Sequence, residues 1–170
     1  MTNFVHVLRT CAADMSAYGG FIWPTSGHVA APDWNSVAKC GNGLHGLLKG
    51  EGDGSLLDWS PEAKWLVVKV DAASIVELNG KVKFPAGEVV FVGNQYDATQ
   101  LIAKLHPEAR AIVGHTATAG RYGTATAGDV GTATAGYRGT ATAGNYGTAI
   151  AGDDGTATAG NYGTATAGNY

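Results

Sequence analysis

The chain has 170 residues, 45% of them hydrophobic, and a formal charge of −3 at neutral pH. Nine Lys or Arg stand against eleven acidic residues before His115, and two against three from there on, so neither part has the basic excess that a phosphate backbone demands. Nucleic acid is excluded as an expected ligand, and the acids are too sparse to mimic a duplex.

Arg9 and Asp14 interrupt the start of the chain before any apolar run of signal-peptide length, and no later segment approaches membrane-spanning length. The expectation is a cytoplasmic protein without a membrane partner. In a reducing compartment Cys11 and Cys40 are expected as thiols, not as a bridge.

All four Trp and all five Pro precede residue 108, whereas 115–170 is mostly Gly, Ala and Thr. This seam predicts an α+β head, 1–114, followed by an all-β repeat tail, 115–170. In the head, alternation and apolar runs predict a strand at 4–8, a loop-rich stretch with Trp23-Pro24 and Ala31-Pro32, and a short helix at 35–39. A central strand at 65–70 follows, then strands 75–78 and 81–84 around an Asn79-Gly80 hairpin turn, and a strand at 88–92. Asp97 is the expected cap of a helix that runs to 105, turns Leu101, Ile102 and Leu105 to one face and stops at Pro107.

From His115 the sequence is seven consecutive octads, HTATAGRY, GTATAGDV, GTATAGYR, GTATAGNY, GTAIAGDD, GTATAGNY and GTATAGNY. Period-two alternation of Thr and Ala predicts a short strand in each octad. The unvarying Gly is expected to turn the corner at positive φ, with the two variable residues facing solvent. Two octads then make one coil of a flattened, two-sided β-solenoid; the alternative is an antiparallel meander. Both Ala columns are unvaried, which suits a very narrow core with Thr outward. Ile150, in a Thr column, points the other way, as an apolar residue entering the core.

The array resembles the β-roll head repeats of trimeric autotransporter adhesins, with short strands and Gly corners, and GTATAG arrays found on proteins of bacteria and their phages. Outward pairs such as Thr124 and Thr126 resemble the TxT ranks of ice-binding solenoids. The bland alternative is that Thr is simply a soluble residue with β preference.

Three segments of the head resemble the ADP-ribosyltransferase fold: FVHVLRT at 4–10, CGNGLHG at 40–46 and GEVVF at 87–91. The resemblance implies that His6 or Arg9 grips NAD, that His45 stands where that family has an aromatic residue, and that Glu88 stabilises an oxocarbenium-like transition state. Cys11, His28, Cys40 and His45 are a donor set zinc would accept, but their spacing fits no known finger and no metal is expected. The acids of 50–54 lack the alternation of a calcium loop. The four Trp are expected mainly in the core.

The function expected from these readings is a non-enzymatic interaction or structural repeat protein without a cofactor, acting on another protein. The context of similar arrays suggests a phage or mobile-element accessory protein or inhibitor. Its expected contact surface is Thr124, Thr126, Tyr122, Tyr146 and Tyr162. One alternative is NAD-dependent ADP-ribosyl transfer by the head; a second is ice or surface binding by the Thr ranks. The consensus character of the last octad, ending at Tyr170, leads to an expectation of self-association through an uncapped end or of a truncated chain.

Overall fold

The computed structural model describes residues 3–169, so the Tyr170 terminus invoked above lies outside the described residues. The backbone divides into two units, the first ending at His106 and the second beginning at Pro107.

The first unit is built on a seven-stranded sheet. Its strands are β1 (Phe4–Cys11), β2 (Gly27–Ala30), β3 (Leu44–Leu48), β4 (Lys64–Asp71), β5 (Val76–Leu78), β6 (Lys81–Phe84) and β7 (Ala86–Gly93), in the order β2-β7-β4-β1-β3-β6-β5. Every paired neighbour is antiparallel. Alternation along β1 and β4 sends Val7, Cys11, Leu66, Val68 and Val70 to one face, where they pack with Trp23, Leu44 and Phe84. The helix α1 (Gln95–Leu105) packs against β1, β4 and β7, with Ala98, Thr99 and Ile102 buried.

Several expectations for the head are corrected. Residues 35–39 form no helix, only a bend from Val37 on, because Asn35 takes the Val37 N–H on its side-chain oxygen and Lys39 N–H turns back to Val37 O. Such local bonds compete with a helical nucleus that five residues are too few to sustain. The cap of α1 is Asn94, which accepts from Asp97 N–H at 2.9 Å and donates to the Asp97 carboxylate at 2.8 Å. Asp97 is therefore the third residue of the first turn, tied to the cap through both its N–H and its carboxylate. Leu105, one turn beyond Ile102 at the end of the helix, is 40% exposed.

The second unit is a parallel two-sided solenoid. β8 (Thr116–Ala119), β10 (Thr132–Ala135), β12 (Thr148–Ala151) and β14 (Thr164–Ala167) form one sheet, and β9 (Thr124–Thr126), β11 (Thr140–Ala143) and β13 (Thr156–Ala159) the other. Pairing is in register from coil to coil, Thr132 with Thr148 and Ala133 with Ala149, so two octads make one coil. Ala fills the interior: Ala133, Ala141 and Ala149 are wholly buried among Ala125, Ala127, Ala135, Ala143 and Ala151. Ile150 points out and is 40% exposed, which settles its column as a surface column.

The corners reverse the expected division of labour. The positive φ falls on the second variable residue, Tyr122, Val130, Arg138, Tyr146, Asp154 and Tyr162, at 53° to 61°. The preceding Gly is required by crowding between coils: a Cβ on Gly136 would stand 3.0 Å from Arg121 N, and one on Gly160 2.8 Å from Asn145 N. The Gly that follows the corner is excluded from carrying a side chain by its own coil, since a Cβ on Gly139 would lie 2.7 Å from Ala135 Cβ. The array starts on residues ahead of the first octad: Ile112 and Val113 are buried, Gly128 N–H donates to Ile112 O and Gly114 N–H to Asp129 O.

Candidate functional site

The threonine columns follow from burying alanine. Because successive side chains of a strand alternate faces, an all-Ala interior forces Thr outward at every second position. One face carries Thr124, Thr126, Thr140, Thr142, Thr156 and Thr158, without interruption; the other carries seven Thr and Ile150. Two Thr of one strand stand about 7 Å apart, and ranks on neighbouring strands about 4.8 Å apart. Neither face bears a charged side chain. The result is a regular grid of hydroxyl and methyl groups held by a stiff parallel ladder.

Charged and aromatic residues are confined to the two corner columns. On one, Asn145 N–H donates to Asp129 Oδ1 at 2.8 Å and Asn161 N–H to Asn145 Oδ1 at 3.0 Å, while the rings of Tyr146 and Tyr162 stack at 5.2 Å. On the other, Asp154 accepts from Tyr137 Oη at 3.1 Å and Arg138 Nε at 3.0 Å, and Tyr122 meets Tyr137 edge-on at 5.9 Å. Tyr122, Tyr146 and Tyr162 are exposed, as a surface role requires, but they flank the Thr faces at two different corners instead of forming one patch with Thr124 and Thr126.

In the head the four residues singled out by sequence fall into separate settings. His6 on β1 places Nδ1 3.0 Å from His106 Nε2, and burial, then His106 and Lys69, hold its pKa below the usual value. Glu88 on β7 faces Lys69 at 3.8 Å and is exposed. Register sets His6 opposite Lys69 and Lys69 opposite Glu88, so these two candidates lie on one sheet face with a lysine between them.

Arg9 and His45 meet elsewhere. The ladder between β1 and β3 pairs Val7 with Leu48 and Leu8 with Leu47, and beyond that point the Arg9 guanidinium donates to Thr10 O and His45 O. It lies 4.0 Å over the Trp23 ring, and burial draws its pKa down to about 10. A pocket of about 120 Å³ opens here, lined by Arg9, Thr10, His45 and Lys81 with Leu47, Leu56 and Leu57. This volume falls well short of the roughly 300 Å³ at which pockets for drug-sized ligands begin. Lys81 was not singled out by sequence. The signal available was the Lys81-Val82-Lys83 alternation beside the hairpin turn, but its target depends on the strand β3 that the sequence reading lacked.

The four thiol and imidazole donors are likewise dispersed. Cys11 is buried against Met15, Cys40 is exposed with Lys81 Nζ at 3.1 Å, and His28 sits on β2 opposite Glu88. Among the described residues no group of three or more His, Cys, Asp or Glu is placed to hold a metal ion. No described helix is long and apolar enough to cross a membrane.

Comparison with known proteins gives two kinds of match. An ice nucleation protein of Pantoea ananas, InaU, is 42% identical over 118 residues, covering 68% of this chain and 11% of that protein. One from Pseudomonas syringae is 44% identical over 99 residues, covering 57% and 9%, and one from Xanthomonas campestris pv. translucens is 40% identical over 102 residues, covering 59% and 6%. The chain thus spans about a tenth or less of these relatives. Each match is longer than the octad array, so it takes in residues of the head as well.

These names overturn the expectation of a phage or mobile-element accessory protein, and they favour the reading based on the Thr ranks. The resemblance of the head to ADP-ribosyltransferases finds no support among them. No solved structure matches the chain. Residues 5–104 match DUF7666, a domain of unknown function; that segment contains all seven strands of the head sheet but for Phe4, together with nearly all of α1, and the chain belongs to that family.

Proposed function

We propose that the solenoid is an ice-binding surface of the kind its named relatives suggest, and that the uninterrupted face of Thr124, Thr126, Thr140, Thr142, Thr156 and Thr158 makes the contact. The observation that carries this reading is the in-register parallel pairing, which repeats the Thr pairs from coil to coil with no charge among them. A stiff grid of alternating hydroxyls and methyls holds waters at fixed points without ordering itself first. The opposite face is the poorer candidate because Ile150 removes a hydroxyl from its centre.

Size then decides the form of the activity. Three strands at about 4.8 Å make a face some 10 Å tall. A critical ice nucleus grows as supercooling shrinks, so a face this small adsorbs to existing ice far better than it starts freezing at mild supercooling. The expected result is ice affinity and crystal shaping, with only weak nucleation in droplet-freezing assays. Thr142→Lys puts a long, hydrated ammonium in the middle of the grid and is expected to abolish ice affinity with an unchanged melting temperature. Thr134→Lys, on the other face, is expected to leave most of it. Wild-type protein excluded from growing ice, or equal loss in both variants, would overturn the assignment.

A further inference from the structure

The pocket between β1 and β3 is cationic. Arg9 and Lys81 line it with His45 and Thr10, and no carboxylate lines it. Among the described residues the Arg9 guanidinium has no carboxylate partner; three of its N–H contacts go to main-chain carbonyls, and the Trp23 ring covers it. A guanidinium has five N–H donors, so donor capacity is left over. Thr10 is 8% exposed and accepts from Asp58 N–H at 2.7 Å, which leaves its own hydroxyl hydrogen free to donate.

Lys83, opposite His45 on β6, lies outside this pocket, its ammonium held by main-chain oxygens, Lys39 O at 2.9 Å and Gly41 O at 3.3 Å. Lys81 spends one donor on Cys40 Sγ and has three. Withdrawing cations from water without an opposing charge is unfavourable unless one arrives from outside. The space accepts a group of a few heavy atoms and excludes a whole nucleotide.

We infer that this pocket binds a phosphate dianion, free or as the terminal group of a phosphate monoester, between Arg9 and Lys81, with the Thr10 hydroxyl as a donor and His45 beside it. Two full positive charges match two negative ones, and the buried Leu47 and Leu57 give the site an apolar wall. Planar bidentate recognition by Arg combined with a point-charge lysine is a combination suited to phosphate. This inference concerns the head alone and does not depend on the solenoid's binding to ice.

The test is a titration of the full chain with inorganic phosphate against chloride at matched ionic strength, read by Trp fluorescence, since all four Trp lie in the head. Phosphate is expected to raise the head's melting temperature by several degrees in a saturable manner, by mass action on the folded state, and to move the imidazole NMR signals of His45. Lys81→Ala is expected to weaken phosphate at least tenfold with no change in melting without phosphate, and Lys81→Arg to restore most of it. Glycerol 3-phosphate, titrated alongside, tells the two sources apart: tighter binding than phosphate identifies a monoester, weaker binding the free ion. Equal responses to phosphate and chloride, or wild-type binding by Lys81→Ala, would overturn the inference.

Discussion

The head and the solenoid bury their cores by opposite means. The head fills the face of a twisted antiparallel sheet with large, dissimilar side chains such as Trp23, Phe84 and Leu66, each fitted to one place. The solenoid repeats one small side chain in every coil, and its interior is alanine throughout. In the first, specificity lies in shape; in the second, it lies in backbone register, because Ala offers nothing to distinguish one position from the next. A head tolerates loss of volume poorly, whereas a solenoid this thin tolerates no gain.

That contrast is sharpest in core substitutions. Phe84→Ala, at a wholly buried site, is expected to destabilise the head by about 3–5 kcal/mol through lost transfer energy and the cavity left behind. Its thermal transition by Trp fluorescence should fall steeply while the β-sheet signal of the solenoid persists. Ala141→Leu is the converse, adding volume where Ala141 is wholly buried between two sheets. Overpacking of about 1–3 kcal/mol is expected, read as loss of hydrogen-exchange protection in β11 and its neighbours β9 and β13 with the head's transition unmoved. If both variants melted the whole chain together, the two-core description would fail.

Acid should act on both units in the same sense. His6 and His45 in the head and His115 in the solenoid all have pKa values lowered chiefly by burial, with Lys81, Arg9 and Lys83 adding to the effect at His45. Their unfolded value is about 6.5. A base that resists protonation when folded gives stability that is present above the unfolded pKa and lost as pH falls through the folded one. Denaturant midpoints should therefore hold near pH 7.5 and decline below about pH 6.5; a midpoint that rises on mild acidification would contradict these environments.

The smallest expected effect is at a corner. Val130 is a β-branched residue at φ 53°, a conformation such side chains rarely adopt. Val130→Asn is expected to stabilise the solenoid by about 0.5–1 kcal/mol, measured as a higher denaturant midpoint for that unit. No such gain is expected from Asn at Ala141, so the pair separates corner strain from core crowding.

The two regions also differed in how much could be read from sequence. The octads expose their own register: the unvaried Ala columns mark the interior, and the two-octad coil follows from strand length alone. The corner was misread because Gly was credited with conformational freedom, when its missing side chain is what lets adjacent coils approach. In the head, β1, β4, β5, β6, β7 and α1 were visible as apolar runs with turn signals, but β2 and β3 were not. β3 contains Gly46, where a Cβ would lie 2.7 Å from Leu8 O, so a residue that weakens local strand signal is demanded by a distant strand. The pairing of Arg9 with His45 and Lys81 depends on that strand, and it was invisible for the same reason.

One consequence of the two-octad coil reaches beyond stability. Contacts along each corner join residues sixteen apart, as Arg138 with Asp154 and Asn145 with Asn161. The octad is the unit of sequence, but the unit of structure is twice as long, so the array has a reading frame. One octad inserted between Arg138 and Asp154 would leave them a coil and a half apart, on opposite corners, and would carry every later Thr pair to the other face, moving Ile150 onto the unbroken grid or its counterpart off it. Two octads inserted together would change nothing but length. Gene duplication can therefore extend this surface smoothly only in pairs of repeats, and an odd step exchanges its two faces.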